Sequence, residues 1–126
     1  MYSKITYYVN ILFISNYITI FATRYLYFMH IISFRKLREF FEEDPNSKVA
    51  LQDWHKITSK AEWDNFSDVK KTFNSVDSVG NSRFVFNVKG NHYRIVVLIL
   101  FHIKRVYIRW VGTHKDYDKI KNIDKI

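Results

Sequence analysis

The chain has 126 residues, a length that suits one domain, and 48% of them are apolar, which excludes whole-chain disorder. A formal net charge of +8 and a pI near 9.7 point to a polyanionic partner, either nucleic acid or an anionic membrane. The absence of cysteine removes disulfides, thiolate metal sites and cysteine nucleophiles and fits a reducing, cytoplasmic compartment. Three Gly and one Pro leave no Gly-rich phosphate loop.

Residues 1–28 read as an apolar leader. Ile5 to Thr23 carry no charge and are flanked by Lys4 and Arg24, near the length a membrane-spanning helix needs. Thr6, Asn10, Ser15, Asn16 and Thr19 weaken a span, and the Tyr, Ile and Phe content favours β structure. Met29 opens a second, self-sufficient stretch, and every acidic residue lies after it. The leader is therefore expected to be an upstream extension from a mis-chosen start, with a membrane anchor as the other reading. Only Lys4 and Arg24 of the 20 basic residues lie in it, so residues 29–126 keep 18 against 12 acidic residues, a charge of +6.

His30-Ile31-Ile32 is expected to form a first strand, with Ser33 capping a helix after it. Phe34, Leu37, Phe40 and Phe41 recur at three- and four-residue spacing on one helical face. Pro45 ends that helix at or before Asp44. A second helix begins near Ser47 with Ala50, Leu51, Trp54, Ile57 and Ala61 as its apolar stripe, completing a helical hairpin. Ser67 is expected to cap a short helix over Asp68 to Phe73. The polar run Ser75 to Ser82 reads as a loop.

Arg83 to Tyr117 is the organising stretch. Strands are expected over Arg83 to Val88, His92 to Phe101 and Arg105 to Val111. Turns are placed at Lys89-Gly90-Asn91 and near His102 to Lys104. The middle strand is apolar at both parities from Ile95 to Phe101, which suits a central strand covered on both faces. Gly112 is expected to break the third strand. Thr113 is expected to cap a last short helix, with Asp116 three residues on as a weak capping box. The fold class is α+β, an antiparallel sheet with an N-terminal helical hairpin on one face and a short C-terminal helix.

Between Asp77 and Asp116 there is no acidic residue, while Arg83, Lys89, Arg94, Lys104, Arg105, Arg109 and Lys115 all fall there. The five histidines form neither an i, i+4 pair nor an HExxH pattern, so no metal site is expected; no GxSxG suggests a serine nucleophile. What remains open is metal-free phosphodiester chemistry on RNA, which needs a proton acceptor for the 2′-hydroxyl, cations for the developing charge and an acid for the leaving oxygen. Arg94 lies among apolar neighbours on the central strand, where a guanidinium needs a task or a partner. His114 and Tyr117 are three apart at the start of the last helix and can face one side. The competing readings are plain ones: a solvated basic sheet face, a polar residue near a helix start and a packing tyrosine. A non-catalytic RNA- or ribosome-binding module is the alternative to an enzyme.

From Met29 onward the chain resembles the HigB family of type II toxin–antitoxin toxins, within the RelE-like superfamily of mRNA interferases. The resemblance rests on Lys36-Leu37-Arg38-Glu39-Phe40, Trp54 with Ala61-Glu62-Trp63, Asp68-Val69-Lys70, the run Arg83 to Asn91 with Tyr93-Arg94, Val106-Tyr107-Ile108-Arg109, and Gly112 to Asp118. It implies a RelE-like fold, ribosome-dependent endonucleolytic cleavage of mRNA without a cofactor, growth arrest, and neutralisation by a cognate antitoxin. By motif position it implies Arg94 at the scissile phosphate and His114 in acid–base chemistry, with Lys89, Arg109 and Tyr117 as weaker correspondences. With the basic-sheet reading, the candidate RNA-binding residues are Arg83, Lys89, Asn91, Arg109 and Lys115, beside Arg94, His114 and Tyr117 as catalytic candidates.

Overall fold

A computed structural model describes residues 26–126; the expected leader segment Ile5 to Thr23 lies outside the described residues. The chain forms strand β1 (His30–Ile32), helix α1 (Phe34–Glu43), helix α2 (Lys48–Ser59), helix α3 (Phe66–Thr72), strands β2 (Val76–Gly80), β3 (Arg83–Val88), β4 (Tyr93–Leu100) and β5 (Arg105–Thr113), and helix α4 (His114–Tyr117). The five strands order as β1-β5-β4-β3-β2. This is the α+β, RelE-like arrangement expected from the sequence, with two differences. β1 pairs in parallel with β5, so the sheet is mixed. It can do so because α1, α2 and α3 carry the chain from one sheet edge to the other before β2 begins.

The second difference is β2, which occupies most of the expected Ser75–Ser82 loop. Val76 and Asp77 pair with Phe86 and Val85, and a bulge near Gly80 leads into a two-residue turn. Asn81 (φ +50°) and Ser82 (φ +60°) both take left-handed backbone there, the twist that joins antiparallel strands tightly. Its polar residues hid the strand: β2 is a sheet edge with only Val76 buried. The β3–β4 turn falls where expected, but the residue that joins Gly90 (φ +62°) in left-handed backbone is Lys89 (φ +54°), not Asn91.

The helices cover one face of the sheet. Leu37 and Phe41 of α1 are buried, and Phe34 and Phe40 pack against the core, as the spacing predicts. Ser33 stands at the helix start with φ +73°, but its side chain makes no capping bond. In α2 the buried stripe is Leu51, Trp54 and Thr58, in line with the buried Ser47 just before the helix, while Ile57 is 46% exposed and Ala61 lies beyond the helix end. The buried stripe is thus turned slightly from the apolar count, with Trp54 common to both and meeting Phe86 of the sheet. α3 starts earlier than read: Asn65, not Ser67, caps it, its side-chain oxygen accepting from Asp68 N.

Phe86 is the hub of the core. Trp54 (5.4 Å) and Phe73 (5.2 Å) meet it edge-on, and Trp63 stacks on it at 6.3 Å and 19°. These rings come from α2, the loop after it and the end of α3, so one β3 side chain ties three segments to the sheet. Phe84 does the same nearer the other end with Phe66 and Phe101.

The opposite face of β3 and β4 is also covered. Val85 and Val96 point away from the helices yet are 3% and 0% exposed. The C-terminal segment is anchored along that side: Asn81 Nδ2 donates to Asp124, and the Arg83 guanidinium donates to the main-chain oxygen of Ile126.

Phe86→Ala removes the hub and is expected to destabilise the chain by about 3–5 kcal/mol in urea unfolding, against about 1 kcal/mol for Asn65→Ala, which removes only a cap.

Candidate functional site

At one end of the sheet β4 begins, β5 ends and α4 starts. Arg94 is the second residue of β4, flanked by Asn87 on β3 and Gly112 on β5. It points to the face away from the helices and is 7% exposed. Nη2 donates to Asn91 Oδ1 at 2.6 Å and meets His114 Nδ1 at 3.1 Å; Nη1 donates to the carbonyls of Tyr93 (3.1 Å) and Asn91 (3.3 Å). The Tyr117 ring lies 5.9 Å from Cζ. All of these partners are neutral, and among the described residues no carboxylate lies within ion-pair distance of the guanidinium. A buried cation with hydrogen bonds but no counter-charge is a ready anion site.

His114 is placed by local chemistry. Thr113 caps α4 as read, its hydroxyl oxygen accepting from Asp116 N at 3.2 Å, and His114 N donates to His92 O across the strand end. The Asp116 carboxylate does not close a capping box; it faces Lys119 at 3.6 Å. Because a guanidinium only donates, Nδ1 of His114 must be the accepting nitrogen, which puts the proton of the neutral ring on Nε2. That nitrogen faces Asp118 Oδ2 at 3.5 Å, one helical turn on. The imidazole is thus held between a cation and a carboxylate. Burial pushes the Tyr117 phenol above its usual range, Asp77 and Asp118 add to this, and Arg94 opposes it. Tyr117 is therefore a neutral ring beneath the guanidinium.

The structure brings Arg94, His114, Tyr117 and Asn91 together, with Lys115 exposed beside them. Asn91 acts inward, as the main acceptor for Arg94. Lys89 is at the neighbouring turn, its ammonium tied to Asn46 O at 2.9 Å. Arg109 is exposed at the bulge of β5, nearer α1, where Lys36 donates to its carbonyl. Arg83 sits four residues from the Asn87–Arg94 pair along β3, about 13 Å, and is engaged with Ile126. Gly112 does not break β5, which runs on to Thr113.

Three further residues belong to this end of the sheet. Asp44, His92 and Thr113 line an open cavity of about 290 Å³ with Asn91, Tyr93, His114 and Lys115. Asp44, at the end of α1, accepts from the Tyr93 hydroxyl at 3.1 Å; burial and this carboxylate raise the Tyr93 phenol. Asp44 is remote in sequence and gave no signal. His92, adjoining the Lys89–Asn91 turn, and Asp118, one turn after His114, were open to inference from spacing. Among the described residues no group of three His, Asp or Glu side chains gathers to hold a metal ion, and no helix is long and apolar enough to cross a membrane.

Comparison with known proteins gives the family. Residues 47–120 match the HigB toxin family, described as the RelE-like toxic component of a toxin–antitoxin system. The chain is 34% identical over 92 residues to the mRNA interferase toxin HigB of Escherichia coli (strain K12), covering 71% of this chain and 88% of that protein. The mRNA interferase HigB of Shigella flexneri matches to the same extent. That of Escherichia coli O6:H1 (strain CFT073) is 28% identical over 94 residues, covering 73% and 91%. With the family match spanning more than half of the chain, and a relative 34% identical over 71% of it, the chain belongs to the HigB family of RelE-like toxins of toxin–antitoxin systems.

Proposed function

We propose that the chain is an mRNA interferase: an endoribonuclease that cleaves mRNA on the translating ribosome, inhibits translation and growth, and is neutralised by a cognate antitoxin. The observation that carries this reading is the buried Arg94 guanidinium, without a carboxylate partner and in contact with the His114 imidazole. The names of the relatives support it independently. The cytoplasm is the compartment this activity requires.

In this reading a phosphodiester displaces His114 and Asn91 from Nη2 of Arg94. The freed Nδ1 of His114 then accepts the proton of the 2′-hydroxyl. The 2′-oxygen bonds to phosphorus and the bond to the 5′-oxygen breaks, leaving a 2′,3′-cyclic phosphate and, once that oxygen is protonated, a 5′-hydroxyl. The charge that builds on the phosphorane oxygens is met by the buried Arg94 guanidinium. The imidazolium formed at His114 faces Asp118, and Tyr117 keeps the guanidinium in place from below. Lys115 and Lys89, both exposed, are suited to neighbouring phosphates. An antitoxin would need acidic or apolar groups to cover this basic end.

The test is controlled expression of the full chain followed by mapping of mRNA 5′ ends. The wild type is expected to create new ends inside translated frames. His114→Ala is expected to reduce them about 10²–10⁴-fold, the usual worth of a positioned acid–base group. Growth arrest with no new ends would instead support a non-catalytic ribosome-binding module. Arg94→Met should abolish the new ends while leaving the urea midpoint unchanged or higher, since it removes an unpaired buried charge; a purely structural Arg94 would lose stability as well. Asp118→Asn should lower cleavage by about five-fold or less, because the His114–Asp118 pair is half exposed and such pairs are weak.

A further inference from the structure

We infer that Trp110 is a stacking platform for an mRNA base beside the scissile phosphate, an inference that rests on the mRNA-cleaving reading above. It begins with the bulge in β5. Val97 pairs with Ile108 but Val96 pairs with Trp110, so Arg109 is an extra residue. Without it, Trp110 would oppose Ile95 and point into the helix-covered core. With it, Val111 turns into that core, while Trp110 and Gly112 join the face of Arg94.

One rung of that face reads Asp77, Val85, Val96, Trp110, and the next reads Asn87, Arg94, Gly112. The indole does not stay on its own rung. A Cβ at residue 112 would lie 2.5 Å from Cη2 and from Cζ2 of Trp110, so the ring occupies the place where a side chain at 112 would stand. That place is directly opposite Arg94, and opposed side chains of an antiparallel pair are about 5 Å apart at Cβ. Glycine at 112 lets the ring lie there. On its other side the indole meets Tyr117 at 6.1 Å and 49°.

Trp110 is partly exposed, unlike Trp54 and Trp63, which are 2% exposed each and packed on Phe86. Exposed basic side chains of Arg109 and Lys115 flank it along the chain. On the side of α1 the groove that Trp110 lines also carries Glu39 and Glu43 with Lys36, so the cationic side of the ring is the one towards Arg94 and Lys115. An aromatic surface beside a guanidinium is what a single-stranded RNA binder presents: cations take the backbone and the ring takes a base. The competing role is mere apolar cover for the sheet, and substitution at constant apolar bulk separates the two.

The experiment compares Trp110→Phe, which keeps an aromatic face, with Trp110→Leu, which keeps apolar volume only. Both are measured by mRNA 5′-end mapping at matched urea midpoints. Trp110→Leu is expected to cut the new ends about 5- to 150-fold, the usual worth of one stacked base, and Trp110→Phe to retain most of them. Cleavage by Trp110→Leu at the wild-type level, or equal loss in both variants, overturns the inference. A second readout is free of structural effects. Trp110 is the one solvent-open tryptophan of the chain, so a 2′-O-methyl oligoribonucleotide that cannot be cleaved should quench its emission, and should leave the emission of Trp110→Phe unchanged. An RNA complex seen by the anisotropy of a labelled oligonucleotide, with wild-type tryptophan emission unaltered, also overturns it. A wild type that leaves no new ends would sink the interferase reading instead, while the quenching still reports on stacking alone.

Discussion

Tyr93 through Val97 of β4 are all buried, and the rest of the chain is arranged around that double burial. A strand covered on both faces needs two layers over it. The α1–α2 hairpin and α3 supply one, held by the rings that converge on Phe86. On the other side Trp110, Tyr117 and a C-terminal segment pinned at Asn81 and Arg83 supply the second. A strand placed this way is rigid, and that rigidity fixes where the Arg94 side chain stands. Arg94 is the one charged residue on that strand, and it pays for its position with four hydrogen bonds and no counter-ion.

The site is built from the ends of elements, a turn (Asn91, His92), a strand end (Thr113) and a helix start (His114). Each local device is ordinary: positive φ at Lys89 and Gly90, a threonine cap, a cross-strand bond from His114 N to His92 O. Together they set an imidazole against a guanidinium, with a carboxylate on the far ring nitrogen. The Arg–His contact stabilises an otherwise costly buried cation and keeps the two groups side by side.

The bulge at Arg109 connects fold and site. One inserted residue sends Val111 inward to the core and Trp110 outward to Arg94, so a packing requirement and the composition of the site are met by the same irregularity. The basic residues divide accordingly. Lys115 stays by the cluster, whereas Arg83 is engaged at the far end of β3 in holding the C-terminal segment.

The sequence by itself determined the α+β class, the α1–α2 hairpin, the β3–β4–β5 meander with its Lys89-Gly90 turn, and the meeting of Arg94 with His114 and Tyr117. These follow from local periodicity, turn chemistry and short spacing, or from motifs that resemble the HigB family, and need no knowledge of distant contacts. Tertiary structure decided the rest. β2 became a strand because an edge needs only one buried residue, Val76, and a left-handed Asn81-Ser82 turn. β1 joined in parallel because three helices intervene before the meander. α2 buried Thr58 rather than Ile57, a choice made by how the helix lies on the sheet and not by hydrophobicity. Asp44 reached Tyr93, and Trp110 crossed Gly112, through pairings that depend on register and on one bulge. A strand's side chains alternate with a period of two, so a single inserted residue reverses which face every later side chain joins, and hydrophobicity along the chain does not reveal where that insertion falls.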